Sequence, residues 1–186
     1  MPSRRHTVGV FACLLLFWLV LPASPDVARG PESLAGRYVI LPEQGDEIEA
    51  AIDKAVSEMS FLTRGIARGR LRRTNPPPES LAIGVQGTDV VIQQDARIPV
   101  RAAWNGTPVE WTNDEGEELE VSMVWEDPVL RQVFVADDGQ RVNEFWSSEG
   151  GRILTMRVVV SSPRLSEDVV YQLAFGRDSA ESGGRR

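Results

Sequence analysis

Three periods of apolar residues divide this chain. The run from Val8 to Leu21 is nearly all apolar, residues from about 46 onward repeat every three or four places, and residues after 80 alternate every second place. The middle period implies an amphipathic helix and the last implies half-buried strands. Asp46 opens the helix and Glu49, three residues later, completes a capping box. Ile48, Ile52, Ala55, Met59, Leu62 and Ile66 then fall on one face, so the spacing predicts one long helix with that stripe buried. Gly65 and Gly69 weaken its end, and Asn75-Pro76-Pro77-Pro78 stops it.

A first strand is expected before the helix, at 36–41. Nine more are expected at 80–86, 89–94, 97–104, 107–112, 117–126, 128–136, 141–147, 151–161 and 168–176. Leu119, Val121, Met123 and Trp125 alternate with Glu118, Glu120, Ser122 and Val124, as a strand with one inward face requires. Asn105-Gly106 has the composition of a type I′ hairpin turn. Gly87-Thr88, Asp114-Glu115-Gly116, Asp137-Asp138-Gly139 and Glu149-Gly150-Gly151 give weaker turn signals. Short connections make neighbours pair antiparallel, because parallel crossovers need a dozen residues or more. The expected fold is therefore mainly β: an antiparallel meander of about ten strands, with one long amphipathic helix between strands 1 and 2. Closing it into a barrel would remove its two edges, and a strongly curved open sheet is the alternative.

The apolar run at the start follows Arg4, Arg5 and His6 and precedes the small residues Ala23 and Ser24, the layout of a secretory signal peptide. Domain boundaries follow: 1–23 signal peptide, 24–34 flexible lead, 35–177 a single barrel-like domain, 178–186 disordered tail. No membrane span is expected after cleavage. Cleavage would remove the only histidine and the only cysteine and change the net charge from −7 to −9, with 18 basic residues facing 27 acidic ones. A chain that acidic is a poor partner for nucleic acid. Lys54 is the only lysine among 20 basic residues, an arginine bias associated with bacteria of GC-rich genome. A periplasmic or extracellular location is expected.

The order of elements resembles the calycin group of barrels, which includes lipocalins and fatty-acid-binding proteins. The family opens its first strand with Gly-x-Trp, and Gly36-Arg37-Tyr38 stands in that place. Arg177, after the last strand, matches the late arginine that packs across this aromatic in the family. The resemblance covers roughly Ala35 to Arg177 and implies a barrel that holds a small apolar or amphipathic molecule. Tyr38 departs from the family's tryptophan, and the last strand lacks the Arg-x-Tyr pair with which fatty-acid-binding proteins grip a carboxylate.

Without histidine or cysteine, the mature chain has no triad nucleophile and no ordinary zinc or haem ligand set. No cofactor, no metal and no enzymatic activity are expected. Paired carboxylates remain conceivable at Asp95, Asp137, Asp138 and Glu144, although a hairpin accounts for the middle two. The acidic residues from Asn113 to Glu120 lack a calcium-loop pattern and suit a solvated hairpin. The arginines at 64, 68, 70, 72 and 73 suit either a phosphate-binding patch or favourable contact with a helix C-terminus. Arg157 lies in the apolar run Leu154–Val160. It either turns into the barrel, where it would orient an acidic ligand beside Tyr171, or turns out to water. The expected pocket members are Trp125, Phe134, Trp146, Arg157 and Tyr171, and the expected partner is a small hydrophobic ligand or an envelope protein. A solid interior would favour a structural or protein-interaction module of the envelope, and an accessible apolar cavity would favour a carrier.

Overall fold

The computed structural model describes residues 30–42 and 45–178. The expected signal peptide and nearly all of the expected tail lie outside the described residues, as does the side chain of Asp46 on which the expected capping box depends. The chain runs β1 (Gly36–Ile40), α1 (Gly45–Ala55), α2 (Phe61–Thr74), β2 (Ser80–Gln86), β3 (Asp89–Gln94), β4 (Val100–Ala103) and β5 (Val109–Thr112). It continues through β6 (Glu118–Glu126), β7 (Val129–Ala136), β8 (Gly139–Ser147), β9 (Ile153–Ser161) and β10 (Val169–Arg177). All ten strands form one sheet in the order β4-β3-β2-β1-β10-β9-β8-β7-β6-β5. Every pairing is antiparallel.

The sheet curls into a nearly closed barrel, and its seam corrects one turn. Asn105-Gly106 joins β4 to β5, but these are the two ends of the sheet and are not partners in it. The free edge of β6 serves both. Glu118–Val121 pair with β5, whereas Trp125 N–H donates to Trp104 O and Gly106 N–H to Met123 O, in the residues that prolong β4. Each of the two edge strands is only four residues long and is preceded by a proline, Pro99 or Pro108, that has no N–H to offer a ladder.

The single long helix expected from residue 46 is two helices. α1 buries Ile48, Ile52 and Ala55, followed by Val56, and packs against β10 and α2. The chain then turns at 57–60, so the second half of the stripe changes direction. Met59 stays partly buried, while Leu62 and Ile66 are exposed. Unbroken, a helix from 46 to 74 would run about 43 Å; broken, its halves lie against each other. Arginines tie them together, with Arg72 Nε 2.8 Å from Glu49 Oε2 and Arg68 Nε 2.8 Å from Asp53 Oδ1.

One end of the barrel is held by Tyr38. Its ring is buried, its hydroxyl donates to Leu34 O at 2.9 Å, and Arg177 Cζ lies 5.0 Å from the ring centroid. Arg177 Nη2 also donates to the Tyr38 hydroxyl at 2.8 Å, and its Nε to Gly151 O at 2.8 Å. Gly36 has a φ of +150°, and a Cβ there would meet Arg177 Nη1 at 2.5 Å, so glycine leaves the room this arginine uses. Burial raises the pKa of Tyr38 against the opposing effects of the Arg177 charge and hydrogen bond. Pro31–Leu34, within the lead expected to be flexible, form a 3-10 turn with Leu34 in the core. Much of the interior is filled by Phe145, Phe175, Met123, Met156, Leu130 and Leu154, all fully buried.

Candidate functional site

The site grows from the strand period in β7 and β8. Leu130, Gln132 and Phe134 share one face of β7, and Arg141, Asn143 and Phe145 share one face of β8. Leu130, Gln132, Asn143 and Phe145 are buried, so these are inward faces and they carry three polar side chains into the barrel. There the barrel encloses a cavity of about 870 Å³, within the range of small-molecule sites. Its apolar lining includes Ile92, Val100, Trp111, Leu119 and Phe134, and α2 contributes Ala67, Leu71 and Thr74. Trp111 and Phe134 meet edge to face, 5.7 Å between centroids.

The polar cluster has its donors and acceptors fixed from one end. A guanidinium can only donate. Arg141 Nε donates to Asn143 Oδ1 at 2.9 Å, so the Asn143 amide nitrogen must turn the other way. It donates to Gln132 Oε1 at 3.0 Å. Gln132 therefore has only its nitrogen left, and that nitrogen is buried without a partner among the described residues. Arg141 Nη1 donates to Asn75 Oδ1 at 3.1 Å and Nη2 approaches the Tyr171 hydroxyl at 3.5 Å. The Tyr171 hydroxyl donates to the same Asn75 oxygen at 3.4 Å, and Asn75 Nδ2 caps α2 by donating to Leu71 O at 3.0 Å.

Two consequences follow. A half-buried positive charge is held by neutral acceptors alone among the described residues. Beside it sits the Gln132 amide nitrogen, a donor on the cavity wall with no protein acceptor among the described residues. The arrangement suits an incoming acceptor, above all an anionic one.

At the mouth, Asp138 on the β7–β8 turn lies 3.3 Å from Arg70 Nη1 of α2 and 3.3 Å from Arg164 Nη1 of the β9–β10 loop. Arg73, Arg97, Asp114, Glu115 and Glu117 also line the cavity. That acidic hairpin is organised by Asn113, whose Oδ1 accepts from Glu115 N–H and Glu117 N–H.

Of the expected pocket members, Phe134 lines the cavity. Tyr171 is buried and joins the polar cluster beneath it. Trp125 packs against the core but is not among the lining residues. Trp146 and Arg157 take the outward positions of their strands, opposite in parity to buried Phe145, Met156 and Val158. Arg157 Nη1 donates to Glu144 Oε2 at 2.9 Å, and Arg131 Nη2 donates to Glu144 Oε1 at 3.0 Å. Burial raises the Glu144 pKa, but the hydrogen bonds and charges of Arg157 and Arg131 outweigh it and leave the carboxyl below its ordinary value. Arg141, Gln132, Asn143 and Asn75 do not stand out in the sequence. Their signal was parity: Gln132 lies between Leu130 and Phe134, and Asn143 lies two places before Phe145.

No family model matches the chain, and no curated protein matches it. Solved structures do. The abundant heat soluble (SAHS) protein of Ramazzottius varieornatus superposes with a TM-score of 0.55 at 11% identity, over 78% of this chain and 96% of that one. Lipid binding protein 8 of Caenorhabditis elegans, in its apo form, gives 0.50 at 12% identity, over 79% and 96%. A fatty acid binding protein of Schistosoma mansoni in complex with arachidonic acid gives 0.49 at 13% identity, over 79% and 97%. The fold is calycin-like. Helices between β1 and β2, ten antiparallel strands and an aromatic–arginine contact at one barrel end make up that likeness in this chain.

Proposed function

We propose that this protein is an exported, non-enzymatic binding protein that holds a small amphipathic molecule inside its barrel. The observation that carries this reading is the unmet donor at Gln132 beside Arg141, both lining an apolar cavity of about 870 Å³. The apolar body of the ligand lies against Trp111, Phe134, Leu119 and Ile92, and an acidic head, such as a carboxylate, accepts from Arg141 and Gln132. Pairing the head with Arg141 offsets the cost of holding that charge among neutral groups. The cavity also favours a carrier over a solid envelope module. Export rests on the layout of residues 1–24, and a bacterial periplasm or cell surface is the proposed location. A non-catalytic role agrees with a mature chain that has neither histidine nor cysteine.

Native mass spectrometry of protein purified from its own source, followed by denaturing extraction, tests the proposal. A stoichiometric acidic amphiphile is the expected result. Bare protein that also fails to take up a fluorescent fatty-acid probe would overturn it, and water at Gln132 would then account for the open donor.

A further inference from the structure

On β8 two consecutive residues meet arginine in opposite ways. Glu144 faces outward and accepts from Arg131 of β7 at 3.0 Å and from Arg157 of β9 at 2.9 Å. Asn143 faces inward, lines the cavity and accepts from Arg141 Nε at 2.9 Å. The two outer arginines thus share a carboxylate, whereas the inner one has an amide. Acids are not scarce, with 27 against 20 basic residues, so the amide at 143 needs a reason.

Hydrogen bonding within the protein does not supply one. An aspartate at 143 would have the same shape, would pair with Arg141 and would let Gln132 turn its amide over. The Gln132 nitrogen, which has no partner among the described residues, would then donate to the carboxylate, and a charge-assisted bond is stronger than the amide–amide bond it replaces. Asn75 is different. Its Nδ2 donates to Leu71 O at 3.0 Å and to Thr74 Oγ1 at 3.1 Å, at the C-terminus of α2 where a carboxylate is disfavoured. The helix end therefore demands an amide at 75. At 143, what an aspartate would take away is the positive charge that Arg141 brings to the cavity wall. We infer that Asn143 is a specificity-determining residue: holding Arg141 with a neutral oxygen, it keeps the guanidinium charge for the acid group of a ligand and ranks acids above alcohols and amines of the same chain. This role rests on the binding function proposed above, and it sets the sign of the charge that the site selects.

Calorimetric titration of the full chain at pH 7 with decanoate, decanol and decylammonium reads that order directly. The parent is expected to favour decanoate over decanol by roughly tenfold or more, the scale of a hydrogen bond to a charged group. Asn143→Asp should melt at or above the parent, bring decanoate down to the level of decanol, leave decanol within roughly twofold and strengthen decylammonium. Asn75→Asp, which brings a carboxylate to the same guanidinium from α2, should shift the order in the same direction at some cost in stability. An order unchanged in both variants would overturn the inference. So would an Asn143→Asp protein that melts below the parent or loses all three ligands alike, because the amide would then be a requirement of folding. Equal binding of decanoate and decanol by the parent would end the charge selection and leave the binding function standing. Binding of none of the three would end that function, and the inference with it.

Discussion

Gln132 and Asn143 form a hydrogen-bonded pair that also anchors Arg141, because Asn143 Oδ1 accepts from Arg141 Nε. Replacing both with leucine removes the Gln132 amide but leaves Arg141 Nε without its acceptor, and a lost hydrogen bond to a charged group costs about 1.5–3 kcal/mol. Gln132→Leu/Asn143→Leu is therefore expected to lower thermal stability by about that amount, and to lose affinity for an acidic amphiphile in a probe-displacement titration. Glu144 offers a second test at this scale. Its carboxyl lies below its ordinary value when folded, so the unfolded chain takes up the proton first as the pH falls. The stability this supplies is present above the unfolded value and is lost as pH drops through the folded one. Melting temperatures followed from about pH 5 to about pH 2 should therefore fall more steeply for the parent than for Glu144→Gln. The pairing of Tyr38 with Arg177 followed from the calycin resemblance, and the contact is present. The direction of Arg157 could not be read, since apolar residues flank it on both sides and only the Glu144 carboxylate decides it.

Strand positions were legible to within about three residues, since branched and aromatic side chains at every second place leave few other ways to bury them. The break between α1 and α2 was not. No proline or glycine occurs from Val56 to Ser60, and the stripe runs on in phase through Leu62 and Ile66, so the interruption comes from tertiary packing and not from local propensity. The unpaired β4 and β5 were hidden for the opposite reason, because Asn105-Gly106 is a strong local turn signal placed at a seam. Arg70 of α2 pairs with Asp138 on the β7–β8 turn, which also holds Arg164, and all three residues line the cavity. Exposed ion pairs contribute little to global stability, yet the Arg70–Asp138 pair ties α2 to the barrel wall. Asp138→Asn should change the melting temperature little while accelerating both uptake and release of a fluorescent fatty-acid probe in stopped-flow mixing. Equal rates in the two proteins would mean that this entrance does not open there.

Stability across the whole molecule should follow the ladder. β9 pairs on both edges, over eight positions with β8 and eight with β10, and the fully buried side chains cluster on these neighbours. β4 and β5 pair along one side only, over four positions each. Global opening should therefore control exchange of β9 amides, and local opening that of β4 and β5. Hydrogen exchange followed by mass spectrometry should find Val100–Ala103 and Val109–Thr112 the fastest strands and Leu154–Val160 the slowest.

That seam also bears on calibre. A fully laddered barrel has its bore set by strand number and shear. Here β4 and β5 share no ladder, and among the described residues the join runs through two backbone hydrogen bonds between β6 and the residues that follow β4. A join that short makes the seam the hinge of the ring, the place where its bore is held most lightly.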